Sequence, residues 1–132
     1  MTLYLLIALG GALGTVARYG LGGLVAQHAG GVFPWNTLAV NVAGSFAIGF
    51  FDTLTSPEGR ILVGSPLRLT FMIGVCGGFT TFSSFSLQTL ALLRDGEWLR
   101  AGGNAVGSVV LCLLAVWLGH VAAAYLNQLK GH

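Results

Sequence analysis

Two phenylalanines three residues apart, Phe82 and Phe85, stand among hydroxyl side chains in Gly77-Gly78-Phe79-Thr80-Thr81-Phe82-Ser83-Ser84-Phe85. At that spacing both rings lie on one helical face. Rings so placed can simply pack. Ring edges are electropositive, however, so edge-on rings can also line a path for an anion without holding it fast. Thr81, Ser84 and Gln88 make a neighbouring stripe of polar groups, and Thr80, Ser83 and Ser86 add more. Neutral donors can replace part of an anion's hydration shell and still release it. The glycine pair predicts a break in the helix, where carbonyls lose their partners and can take a cation. Two copies facing each other across a dimer axis could enclose one such ion. The chemistry on offer is ion passage.

The elements that must position these residues lie in a membrane. From Leu69 to Leu93 there are 25 residues without a charged side chain or a histidine, and a helix needs about 20 apolar residues to cross a bilayer. Lipid offers no partner to a hydroxyl or a loosened peptide group. The polar centre of this segment must therefore face protein, an ion or water. Of 132 residues, 55% are hydrophobic and 8% charged, and the mean hydropathy is +0.82. Soluble domains carry about 25% charged residues, so this chain could not cover a water-facing surface. Four segments read as spans: Leu3 to Val25, Leu38 to Leu54, Leu69 to Leu93 and Ala101 to Leu126. The short connections leave room for one domain, residues 1–132, an all-α membrane protein with four transmembrane helices per chain and the third broken at its middle. No basic region precedes the first apolar run and no small-residue cleavage site follows it, so it reads as a retained span rather than a signal peptide.

Charge placement carries more information than the net charge of +2. The six Lys and Arg residues form no basic stripe, which argues against nucleic acid as a partner. Four spans put Arg60, Arg68 and Lys130 on one side of the membrane and Arg18, Arg94 and Arg100 on the other. Lys and Arg bias normally sets orientation, and here it is balanced. Either a small protein has a weak signal, or the chain inserts both ways and assembles as an antiparallel, dual-topology homodimer. Gly10 and Gly14, Gly74 and Gly78, and Gly103 and Gly107 lie four apart in three spans. That spacing lets helices approach closely in lipid. A single four-helix chain encloses little space, so an oligomer is the natural way to build a pore.

Other polar residues fall within the spans. Asn41, with Ser45 one turn on, can bond a neighbouring helix or donate to an anion. Pro34, Trp35 and Asn36 before it read as an interfacial helix start. Arg18, at or near the end of the first span, either snorkels or draws anions to a vestibule. No span has a carboxylate at its middle, since Asp52 falls near the end of the second. A proton-coupled exporter needs such a relay, which counts against the small multidrug exporters. Cys76 and Cys112 both lie in spans and read as packing. His28, His120 and His132 have no ligand spacing; His28 and His132 read as exposed, and His120 as packed or near an interface. No nucleophile and base pair, and no phosphate loop follows a strand, so nothing supports an enzyme.

Gly74 to Ser86, GVCGGFTTFSSFS, closely resembles the signature of the CrcB/Fluc family of fluoride channels. WNTLAVNVAGSFAIG in the second span and GALGTVAR in the first are also similar to that family, and the likeness covers essentially the whole chain. It implies a dual-topology homodimer in the cell inner membrane, with two fluoride pores each built from both subunits. It implies passive export of cytoplasmic fluoride, which lowers its toxicity. Phe82 and Phe85 would be the pore phenylalanines and Asn41 the amide near the vestibule. Ser108 would belong to the polar track of the fourth span, Thr81 and Ser84 would join the fluoride pore, and Arg18 would be the basic residue near the aqueous entrance. A structural sodium ion would be held by the backbone carbonyls of Gly77 and Thr80 from both chains, with no organic cofactor. Fluoride, membrane lipid and a second copy would be the partners. The chain departs from the family pattern in the fourth span, where Asn104 stands at a position often occupied by Tyr and Cys112 and Val116 follow Ser108. The other reading is a four-span transporter or accessory membrane subunit without its own pore.

Overall fold

The computed structural model describes residues 1–130, all helix and connection. Its elements are α1 (Thr2–Ala29), α2 (Trp35–Leu54), α3 (Ser65–Leu69), a π-helical stretch π1 (Thr70–Cys76), α4 (Gly77–Phe79), α5 (Phe82–Arg94) and α6 (Trp98–Lys130). Four helical segments are long and apolar enough to cross a membrane: Thr2–Ala29, Trp35–Leu54, Ser65–Arg94 and Trp98–Leu129. Each begins one to four residues before the span read from hydropathy, because polar and aromatic residues at the interface still join the helix. Leu9, Leu13, Val16 and Leu113 are exposed on the protein surface, where lipid tails are as apolar as the side chains themselves.

The connections follow local chemistry. Gly31, at φ 99°, turns the chain between α1 and α2, and Gly96, at φ 75°, does so between α5 and α6. Both conformations are costly for residues with a Cβ. Between α2 and α3, the Ile61 amide donates to the Leu54 carbonyl at 3.2 Å and the Arg60 amide to Asn127 Oδ1 at 2.7 Å. Arg68 forms an ion pair with Asp52. The carboxylate near the end of α2 is thereby matched at the rim of the bundle.

Small residues set the helix packing. α1 lies against π1 and α4, and α2 lies along α6. A Cβ on Gly10 would come 2.7 Å from the Thr70 carbonyl oxygen, and one on Gly74 would come 2.8 Å from that of Ile7. A Cβ on Gly78 would sit 3.1 Å from Gly11 Cα. Across the other seam, a Cβ on Gly119 would sit 2.9 Å from the Phe50 amide nitrogen. The first two glycine pairs of the sequence therefore mark a real seam. Gly103 and Gly107 do not, since a Cβ on either would meet nothing within 4 Å.

The third membrane segment changes partner along its length. Its first half packs on α1, whereas α5 packs on α6 and has no Cα within 8 Å of a Cα of α1. Between the halves Thr80 (φ −95°, ψ 160°) and Thr81 (φ −151°, ψ 116°) are extended. The expected place for the interruption, Gly77-Gly78, is instead helical. The position has a physical cause. The Thr81 hydroxyl accepts from the Ser84 amide at 3.1 Å and caps α5, as hydroxyl residues do at helix starts. A glycine pair makes the backbone permissive, but the capping threonine and its partners choose where it turns.

Candidate functional site

Asn41 of α2 holds the extended residues in place. Its Nδ2 donates to the Thr81 carbonyl at 3.0 Å, and its Oδ1 accepts from the Thr81 amide at 2.8 Å. Both backbone groups of Thr81 are thus satisfied by one side chain, as polar backbone at membrane depth requires. Arg18 reaches the same region. It lies well inside α1 rather than at its end, and its Nε donates to the Gly78 carbonyl at 3.0 Å. Placed there the guanidinium is tied to the backbone through one of its nitrogens.

Thr81 lines two cavities. One, of about 320 Å³, is lined by Asn41, Ser45, Cys76, Gly77, Thr80, Thr81, Phe82, Phe85, Ser108 and Cys112 among others. The Phe82 and Phe85 rings have centroids 5.3 Å apart and are inclined at 50°. Phe82 is 77% exposed, so this cavity opens onto the protein surface. The other, of about 450 Å³, lies where α5 has diverged from α1. Arg18, Asn36, Thr37, Thr81, Ser84 and Gln88 line it with their neighbours.

The sequence-derived residues therefore separate into two groups. Asn41, Thr81, Phe82, Phe85 and Ser108 share the first cavity, together with Gly77 and Thr80. Arg18 and Ser84 share the second, along with Gln88, and Thr81 belongs to both. Ser84 and Gln88 line the cavity of the arginine and not that of the phenylalanine pair, while Thr81 lines both. Ser108 is buried and bonds Asn104, which is 2% exposed. Cys76 is buried, Cys112 half-buried, and both are free thiols. His28 and His120 are exposed; the Nδ1 of His120 lies 2.7 Å from Thr53 Oγ1. His132 lies outside the described residues.

The backbone around the break releases carbonyl oxygens. In a continuous α-helix the Thr81 amide would serve Gly77 and the Ser84 amide would serve Thr80. Here those amides donate to Asn41 Oδ1 and Thr81 Oγ1 instead. Gly78 and Thr81 carbonyls have side-chain partners in Arg18 and Asn41. Asn41 as a backbone clamp was invisible to spacing arguments, because it joins residues 40 positions apart.

Residues 5–120 match the family described as CrcB-like protein, Camphor Resistance (CrcB). The chain is a CrcB-family protein. Among curated relatives, a protein of Opitutus terrae named fluoride-specific ion channel FluC is 73% identical over 131 residues, 99% of each chain. Proteins of the same name from Methylocella silvestris and Paramagnetospirillum magneticum are each 63% identical over 128 residues. The alignments cover 97% of this chain and 98% and 100% of theirs. In this CrcB-family chain the signature GVCGGFTTFSSFS supplies the end of π1, the interruption and the start of α5. The motif is thus the part of the chain where helix gives way to extended backbone, and its Thr81 lines both cavities.

Proposed function

We propose that two copies of this chain assemble antiparallel in the cell inner membrane as a fluoride channel. The observation that carries the proposal is the pair of cavities that share Thr81 in their linings, one beside Arg18 and the other beside Phe82 and Phe85. The names of the relatives supply the ion. Arg18 raises the local concentration of anions in the outer cavity, as a charge in a low-dielectric cleft does. Asn41 uses one Nδ2 proton on Thr81, and the other is available to an anion. Thr81 and Ser84 offer hydroxyls, and the phenylalanine edges carry the ion where hydroxyls are fewer. Each contact is neutral or weak, so the ion is not trapped. Hydrogen fluoride crosses membranes, ionises in a less acidic cytoplasm and leaves as the anion, so a passive pore suffices. A channel makes and breaks no covalent bond, and no residue is assigned a catalytic role.

The open face supports a second copy. Polar groups at membrane depth need partners, and the cavity of Asn41, Thr81 and Ser108 opens at the surface of one protomer. Balanced Lys and Arg placement supports opposed insertion. A sodium ion fits the carbonyls of Gly77 and Thr80, whose usual helical donors are engaged elsewhere. Both residues line the open cavity. The described residues hold no group of three or more His, Cys, Asp or Glu suited to a metal. Neutral oxygens without a carboxylate suit a monovalent cation better than a divalent one. The ion's role there is to hold two protomers together.

The test is fluoride efflux from liposomes containing only the purified protein, followed with a fluoride electrode and compared with chloride. Fluoride-selective efflux is the expected result. No efflux from folded protein would refute the channel and favour an accessory subunit.

A further inference from the structure

Asn104 does not line the cavity, yet it decides what Ser108 presents to it. Four groups form a chain with one possible direction. The Phe85 carbonyl can only accept, so the Thr89 hydroxyl donates to it, at 2.8 Å. Thr89 has one proton, so Asn104 must turn its Nδ2 toward Thr89 Oγ1, at 2.9 Å. That leaves Asn104 Oδ1 facing Ser108, whose Oγ donates to it at 3.2 Å. The single proton of Ser108 is therefore engaged, and its lone pairs are what remain for the cavity. Lone pairs repel an anion. Ser108 is also the one hydroxyl that α6 contributes to this cavity; its other lining residues there are Val109 and Cys112.

We propose that Asn104 is a positioning residue that withholds the Ser108 proton and so weakens anion binding beside Phe85. An anion reaching Ser108 must take the proton from Asn104 Oδ1, which leaves that oxygen without its donor. The same chain fastens α6 to the backbone of Phe85, through Thr89. Weak binding at this point lets the ion leave toward the far side. The inference rests on the channel reading above and adds a residue that sets the channel's affinity.

The experiment measures fluoride flux against fluoride concentration in liposomes, for the unsubstituted protein, Asn104→Leu, Ser108→Ala and the double variant. Leucine keeps the branched skeleton of asparagine, with bulkier ends, but cannot accept a hydrogen bond. Freeing the Ser108 proton removes a neutral hydrogen bond that binding would otherwise break, so half-saturation should fall about fivefold in Asn104→Leu. In the Ser108→Ala background the same substitution should leave half-saturation unchanged. A merely structural role predicts lower flux per folded protein with the same half-saturation, and that result overturns the proposal. So does a shift that persists without Ser108. Asn104→Ala, which also lacks the acceptor, supplies the same comparison if the leucine variant does not fold. No fluoride flux in the unsubstituted protein would sink the channel reading itself, and this inference with it.

Discussion

Replacing Asn41 by Leu should unmake the interruption of the third membrane segment. Asn41 is the partner of both backbone groups of Thr81, at 3.0 and 2.8 Å. Leucine keeps the same branched skeleton, with bulkier methyl ends, so the main loss is polar. Each buried group left without a partner costs about 1 to 3 kcal/mol, so the two together cost about 2 to 6 kcal/mol. Part of this is regained if the Thr81 amide returns to the Gly77 carbonyl, but that step straightens the segment and moves Thr81 from the wall of both cavities. Either way flux should fall to background. Two measurements check this: unfolding of the purified protein in mixed micelles, and fluoride efflux from liposomes. Lost flux with an unfolding free energy within about 0.5 kcal/mol of the original would refute the reasoning. Asn41 would then act on the ion and not on the backbone.

Phe82→Ile or Phe85→Ile removes the electropositive edge at a cost usually below about 1.5 kcal/mol; flux should drop sharply while the protein stays folded, and normal flux with Ile at both sites would leave the hydroxyls as the path. Gly14→Ala places a Cβ 2.9 Å from the Phe79 amide nitrogen and should destabilise the protein in thermal unfolding. Gly103→Ala meets nothing within 4 Å, so within one protomer it should stabilise α6 by up to about 1 kcal/mol; a large loss would place that glycine in the contact between copies. Single cysteines at the two ends of the chain should be labelled from both sides of the membrane in one population, and one uniform orientation would remove dual topology. Prolonged sodium depletion should loosen the dimer, as read by subunit exchange, and unchanged exchange after full removal of the ion would count against a structural role.

Amino-acid order alone carries the class of this protein. Long uncharged runs between short polar connections can only be helices in lipid, because a backbone there must satisfy its own hydrogen bonds. Phe82, Phe85, Asn41 and Thr81 are legible as a group because hydroxyls, an amide and aromatic rings in such runs need a reason to be there. The motif is also specific enough to show the family. The glycine pair does not mark the interruption, since it signals only where bending is cheap. The bend falls at Thr80 and Thr81 because Asn41, distant in sequence, and the Thr81 cap satisfy the extended backbone.

Tertiary structure alone decides the rest. Ser84 and Gln88 look like part of the phenylalanine path by helical spacing, yet they face Arg18 because α5 leaves α1 for α6. Gly103 and Gly107 share the spacing of the packing glycines, but no helix of the same protomer approaches them. Asn104 reads as a mere departure from a family pattern until Thr89 and Phe85 are brought beside it. Local periodicity tells which residues share a helix face. Which neighbour that face meets, and which way its protons point, depend on contacts between residues far apart in the chain.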